Sequence, residues 1–228
     1  MVLILVQPGG RLAAMSESGQ PSSPGQLSSK GVGARVRAWR ERRRAGRRGR
    51  DACAAAADRL YAEMVDRARS RRFFAELGVP DTPEGRFEMI ALHVALLLRR
   101  LRAEGAAGAA LAQALFDLMF ADMDAALREL GVGDLGVGRQ VKRLAGQFYA
   151  RLAGLDRALG DGRPEALAAA LAPVWQGGPA PAPAQVDALA AHLLALERAL
   201  AALPGAALLG GAAPGERAPG ADARVAAK

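Results

Sequence analysis

The sequence is poor in the residues that form disulfides, metal sites and aromatic binding platforms. Its 228 residues include one cysteine, Cys53, two histidines, His93 and His192, and only 4 % aromatic residues. These counts exclude a disulfide-stabilised secreted fold, and they exclude zinc sites with CxxC or HExxH spacing. A haem held by both histidines is arithmetically possible, but no motif supports it. We therefore expect no cofactor.

The sequence also lacks the alternation of apolar and polar residues that is typical of strands. Its apolar content, 51 %, comes mainly from alanine, leucine and valine, and these recur at helical spacing. The pattern predicts an all-α fold, a helical bundle. The longest uncharged stretch, 166–186, contains several prolines and glycines, and the apolar run 2–6 is too short for a signal-peptide core. We expect no membrane-spanning helix and a soluble or peripheral protein.

The positive charge is concentrated near the N-terminus. Residues 30–50 contain ten cations and one acid, a net charge of +9, while the whole chain carries +8. The remainder is therefore close to neutral. A basic segment of this kind can bind RNA, DNA, ribosomes or an anionic membrane surface by releasing counterions. It can equally be a disordered tail that only aids solubility.

Composition divides the chain into three parts. Residues 1–50 are predicted to be a disordered Arg-rich arm, 51–203 a helical domain, and 204–228 a disordered tail rich in Gly, Ala and Pro. Within the domain, helical periodicity predicts helices at about 52–70, 83–103, 109–130, 137–159, 164–175 and 183–203. A proline-rich turn at 176–183 separates the last two.

The helix predicted at 83–103 has apolar residues on two sides. Asp81 or Thr82 can cap it, and Pro83 suits the first helical position. The second apolar stripe, which contains Met89, indicates either core packing or a docking surface, and core packing is favoured. His93 falls between Arg86 and Arg100 at seven-residue spacing, which predicts a lowered pKa through repulsion between like charges. With no carboxylate in register, His93 is interpreted as structural.

Two features of the next helix pair resemble functional sites. Asp122 falls within an apolar stripe, so it is predicted to be buried and paired with Lys142 or Arg143. The glycines at 131, 133 and 136 match GxGxxG spacing, but a dinucleotide site requires a preceding strand. We interpret them as a helix stop and turn, with Asp134 or a neighbour capping the following helix. An i,i+4 ion pair is predicted between Asp124 and Arg128.

Several ordered blocks between residues 58 and 160 resemble the ubiquinol–cytochrome c chaperone family. The blocks are LY at 60–61, FF at 73–74, GVPDTPEGRFEM at 78–89, LH at 92–93, LFDLMFADMD at 115–124, LRE at 127–129, GVGDL at 131–135, VG at 137–138, VK at 141–142 and FYAR at 148–151. The resemblance implies an all-helical assembly factor for ubiquinol–cytochrome c reductase that is not an enzyme. It also implies binding to newly made cytochrome b, cooperation with a small partner protein and a position near the ribosomal exit tunnel.

The working hypothesis is a chaperone that shields apolar segments of cytochrome b, with an alternative in which the 30–50 arm binds RNA or DNA. Expected locations are the bacterial cytoplasm, peripheral at the inner membrane, or the mitochondrial matrix in a eukaryote. Candidate client- or partner-binding residues, chosen because they lie in the family-like blocks and are expected to be exposed, are Arg86, Met89, His93, Asp134, Lys142 and Arg151.

Overall fold

The computed structural model describes residues 29–129, 131 and 133–215, and every regular element in this part is helical. The all-α prediction is therefore confirmed. Among the described residues, those up to Arg44 belong to one compact unit and those from Ala45 onward to a second. The helices are α1 Ser29–Ala68, α2 Arg71–Ala75, α3 Pro83–Leu101, α4 Gly105–Glu129, α5 Asp134–Asp161, α6 Pro164–Leu171, α7 Pro183–Ala202 and α8 Gly205–Leu209, with 3₁₀ turns at Arg102–Glu104 and Ala172–Trp175.

The first helix is longer than the sequence pattern predicts. It begins at Ser29 and not near residue 52, so residues 29–50 of the predicted disordered arm are helical. No proline interrupts this stretch, and its nine arginines have high helix propensity. Residues 1–28 of the predicted arm lie outside the described part of the chain.

The folded domain also continues beyond residue 203, where the sequence predicts a disordered tail. Helix α8 places Leu208 in the core with no exposed surface. The Arg59 guanidinium donates to the Gly210 carbonyl oxygen at 2.6 Å, and Arg67 donates to the carbonyl of Pro214. Apolar burial and these two contacts with α1 therefore order residues 205–214. Residues 216–228 lie outside the described part.

Helix α3 is the central element of the domain. Its N-cap is Thr82, whose Oγ1 accepts a hydrogen bond from the Gly85 N–H at 3.2 Å, with Pro83 in the first turn. From Phe87 to Leu98 every residue except Ile90 is buried. The helix packs against α4, α5 and α7, which explains why it is apolar on opposite sides. The core interpretation of the second stripe is confirmed: Met89, Leu92 and Leu96 are at most 2 % exposed.

Arginines at the end of α3 connect it to two neighbouring helices. Arg99 forms ion pairs with Asp156 of α5 at 3.3 Å and with Glu197 of α7 at 3.2 Å. Arg100 donates to the Leu203 carbonyl at 2.9 Å. These partly buried contacts fix the C-terminal end of α3 between α5 and α7.

Candidate client-binding surface

Helix α4 is apolar, but the rest of the protein covers little of it. Its buried residues form a single stripe facing the core: Gly108, Leu111, Leu115 and Met119. By length and composition alone, the stretch Pro83–Glu129 is apolar enough to cross a membrane, yet only 22 % of its most apolar 18-residue window is buried. One such stretch is weak evidence for a membrane span, and here it is broken by the 3₁₀ turn and by Gly105 at φ +58°. What α4 does present is apolar surface accessible to another molecule.

The side of α4 next to α5 presents a cluster of half-buried aromatic and apolar side chains. The ring centroid of Phe116 lies 4.4 Å from that of Phe120 and 5.6 Å from that of Tyr149 on α5. Tyr149 is 42 % exposed, more than any other large apolar side chain that the structure describes. We call this surface the aromatic face; its residues are Phe116, Phe120, Met123, Leu127 and Tyr149.

Charged side chains of opposite sign flank the aromatic face. On α4, the outward strip contains Asp117 and Asp124, and Arg128 donates to Asp124 at 2.7 Å. The predicted Asp124–Arg128 pair is therefore confirmed. On α5, Lys142 is exposed and lies two turns before Tyr149, on the same side of the helix. An apolar centre with a polar rim is the usual anatomy of a protein-binding surface.

Asp122 is placed differently from the prediction. It is exposed, and its Oδ2 accepts a hydrogen bond from the Tyr61 hydroxyl at 2.9 Å, while neither Lys142 nor Arg143 contacts it. The prediction of burial fails because α4 continues past Met119, its last buried residue, so the apolar stripe is no longer covered there. Burial, followed by the hydrogen bond to Asp122, raises the pKa of the Tyr61 phenol well above its usual value.

The structure describes the side chains of five of the six predicted binding residues, and it does not bring these five together on one surface. Arg86 and Lys142 are exposed as expected, and Arg86 donates to Asp81 at 2.6 Å. That hydrogen bond lowers the pKa of the exposed Asp81 carboxyl. The side chain of Asp134 lies outside the described residues, although the backbone of α5 begins there.

The Gly131 and Gly133 turn joins two helices, and no strand precedes it among the described residues, as the helix-stop interpretation requires.

Of the other three candidates, Met89 and His93 are buried and Arg151 is partly buried, so the expectation of exposure is wrong for them. Met89 and His93 have no accessible surface, because α3 is covered on both sides. The side chain of Arg151 is 13 % exposed and forms a bidentate ion pair with Glu88, in which Nη2 lies 2.8 Å from Oε1. These three side chains can support a binding surface only by holding α3 and α5 in place.

His93 is one half of a histidine pair that the sequence pattern did not reveal. Its Nδ1 lies 2.7 Å from the Met89 carbonyl oxygen, and its Nε2 lies 3.0 Å from Nε2 of His192 on α7. A carbonyl only accepts, so His93 carries its proton on Nδ1 and accepts from the Nε2–H of His192. The Phe73 ring packs edge-on against both imidazoles.

Burial is the main reason why both histidines stay neutral. Burial lowers the pKa of His93 to about 3, and the neighbouring His192 lowers it by a smaller amount. Burial lowers the pKa of His192 to about 4, and the positive charges of Arg72 and Arg67 contribute to this shift. The predicted direction for His93 is correct, but its cause is burial and not repulsion by Arg86 and Arg100. His192, interpreted from the sequence as a surface or boundary residue, is partly buried. Within the described ranges no three His, Cys, Asp or Glu side chains are grouped so that they could hold a metal ion.

An all-helical domain with an open aromatic face is typical of proteins that bind other molecules. A family model described as ubiquinol–cytochrome c chaperone matches residues 75–215, which is more than half of the chain. The chain therefore belongs to this family of complex III assembly chaperones. The match includes α6, α7 and α8, which lie beyond the family-like blocks found in the sequence.

Related proteins support the same assignment. The chain is 28 % identical over 104 residues to ubiquinol–cytochrome c reductase complex assembly factor 1 of Mus musculus and of Xenopus laevis. The aligned region is 46 % of this chain, 35 % of the mouse protein and 52 % of the frog protein, so the chain matches only about a third to a half of the length of these relatives. The crystal structure of the Cbp3 homologue from Brucella abortus is 40 % identical with a TM-score of 0.64, and the match covers 74 % of this chain and 92 % of that one.

Proposed function

We propose that this protein is a non-enzymatic chaperone for the assembly of ubiquinol–cytochrome c reductase and that it binds newly made cytochrome b. The observation that carries the proposal is the aromatic face beside the poorly covered helix α4. Family membership supports the process, and the names of the relatives refer to assembly of the same respiratory complex.

The chemistry of the aromatic face suits an apolar client. Covering apolar surface contributes about 25 cal/mol per Å² removed from water, so a client segment laid along α4 gains affinity from contact area without needing a specific sequence. Met123 and Leu127 extend the face beyond the aromatic rings, and methionine adapts well to irregular apolar partners. Lys142 and Asp117 at the rims favour one orientation of a charged client loop.

The proposed partners other than cytochrome b are a small partner subunit and an anionic surface, either the ribosome or a membrane. The +9 charge of residues 30–50 supports contact with an anionic surface. The corresponding location is the bacterial cytoplasm, peripheral at the inner membrane, or the mitochondrial matrix in a eukaryotic host.

Co-purification with tagged cytochrome b tests the client assignment. The test variant is Tyr149→Ser, which removes the most exposed ring of the aromatic face. The control is Leu194→Ser on α7, because Leu194 is 37 % exposed and lies outside the aromatic face. We expect Tyr149→Ser to recover less cytochrome b and Leu194→Ser to match the wild type. Equal recovery by both variants, or normal amounts of assembled reductase in a deletion strain, would contradict the proposal.

The basic charge of residues 30–50 favours RNA or DNA binding as a second candidate function. Deleting these residues separates the two candidates. If the alternative is correct, nucleic-acid binding disappears and no cytochrome b is captured by either form. If the chaperone function is correct, the truncated chain still captures cytochrome b.

A further inference from the structure

A cavity of about 460 Å³ lies where the end of α1, the short helix α2 and the start of α3 meet. The proposed chaperone function does not use it, and none of its lining residues belongs to the aromatic face. The lining residues are Arg69, Arg71, Phe74, Ala75, Asp81 and Arg86. We call it the arginine cavity.

The arginine cavity has more positive than negative charge in its lining. Three arginines and one aspartate line it, and the carboxylate of that aspartate, Asp81, already accepts a hydrogen bond from Arg86 at 2.6 Å. Arg69 and Arg71 are exposed and form no ion pair with any residue in 29–129, 131 or 133–215. The lining therefore carries two positive charges without a counter-ion from the described chain.

The geometry of arginine limits which anion fits such a lining. A guanidinium presents a planar set of N–H donors that matches a phosphate or carboxylate with two parallel hydrogen bonds. A single carboxylate carries one charge and two oxygens, whereas a phosphate group offers three or more oxygens and up to two charges. Two uncompensated guanidiniums on either side of Ser70 therefore suit phosphate better. The Phe74 ring adds an apolar wall beside them.

We propose that the arginine cavity binds the phosphate group of a phosphate-bearing ligand, with Arg69 and Arg71 as the principal donors. Arg86 contributes charge from the opposite element while it remains bonded to Asp81. Phe74 contacts the organic part attached to the phosphate. The phosphate can belong to the headgroup of an anionic lipid or to a free small molecule, and the test distinguishes these two sources.

The test needs a readout at single residues, because the ten cations at 30–50 also attract anions. The full chain is titrated with inorganic phosphate, with dihexanoyl phosphatidylglycerol below its micelle concentration, and with acetate. NMR signals of the Phe74 amide and the Arg86 Nε–H report on the cavity. The test variant is Arg69→Gln/Arg71→Gln, and the control Arg163→Gln/Arg198→Gln removes the same charge from two exposed positions elsewhere.

The proposal expects saturable shifts with a phosphate-bearing probe and much weaker shifts with acetate. The test variant loses charge-assisted hydrogen bonds, so its affinity for the phosphate-bearing probe should fall by about tenfold or more. The control variant should bind the probe as tightly as the wild type. Binding of both phosphate probes identifies the phosphate group itself, and binding of the lipid alone identifies a lipid headgroup. Equal response to acetate, no saturable shift with either phosphate probe, or an unchanged affinity in the test variant would overturn the proposal.

Discussion

The Nε2 atoms of His93 and His192 lie 3.0 Å apart, although 99 positions separate these residues in the sequence. The contact joins α3 to α7 and requires His93, the acceptor, to be neutral. Protonating His93 would bring two N–H donors face to face, and protonating either ring would place a charge in a site that disfavours it through burial and nearby arginines. The pair therefore makes the stability of the domain depend on pH.

Stability should fall when the pH is lowered from 7.5 to 5. In the unfolded chain both histidines take up protons near their ordinary pKa of 6.5. In the folded chain His192 remains neutral until about pH 4 and His93 until about pH 3. The unfolded state binds more protons in this window, so the free energy of unfolding decreases by about 2 kcal/mol per histidine. Urea unfolding at several pH values measures this. A stability that does not change between pH 7.5 and 5 would contradict it, and His192→Gln should show a shallower dependence.

Gly85→Ala should destabilise the domain. A Cβ at this position would lie 2.0 Å from the Pro80 carbonyl oxygen, so the start of α3 would have to move away from the preceding turn. We expect a loss of about 1–3 kcal/mol in the free energy of unfolding, as for other overpacked positions. Gly154→Ala on α5 is the matched control, because a Cβ there meets nothing within 4 Å and alanine favours the helix. A Gly85→Ala variant as stable as this control would show that the close approach is absent.

Arg151→Met should lower the free energy of unfolding by more than the loss of a surface ion pair would. It leaves the Glu88 carboxylate, whose side chain is 9 % exposed, without its partner. Breaking a buried pair from one side costs about 3–5 kcal/mol. The double variant Glu88→Gln/Arg151→Met removes both charges and should recover part of this loss. Denaturant unfolding of both variants checks the prediction, which fails if the single variant is the more stable of the two.

Asp122→Ala should lower the free energy of unfolding only modestly, because it removes a hydrogen bond between α4 and α1. Removing the acceptor of the Tyr61 hydroxyl costs about 0.5–1.5 kcal/mol. Lys142→Ala should leave stability unchanged, since the two side chains are not in contact. The sequence pattern predicts instead a buried Asp122 paired with Lys142 or Arg143. Thermal unfolding distinguishes the two arrangements, because removing Asp122 or its cationic partner from a buried pair would be strongly destabilising.

Local sequence patterns predict the helices and their faces well. The two-sided apolar pattern of α3 correctly indicates a central helix, Thr82 and Pro83 mark its start, and the spacing of Asp124 and Arg128 predicts their ion pair. Each of these features depends on residues a few positions apart. Helical periodicity and the residue preferences of helix starts are therefore sufficient to predict them.

The features that the sequence did not predict depend on long-range packing. Helical spacing places His93 on a face but does not say that His192 lies opposite, or that Asp122 lies where α4 is no longer covered. Likewise, the Gly- and Ala-rich composition after residue 203 hides Leu208, which α8 buries in the core. Helical spacing places Phe116, Phe120, Met123 and Leu127 on one side of α4, but it gives no sign that this aromatic face stays partly open.

Site-specific photocrosslinking in cells that synthesise cytochrome b tests the central proposal most directly. A photoreactive amino acid is placed at Tyr149 in the aromatic face and, separately, at Leu194 on α7, which is similarly exposed. We predict a crosslink to cytochrome b from position 149 and none from position 194. A crosslink from position 194 alone, or from neither position, would contradict the account.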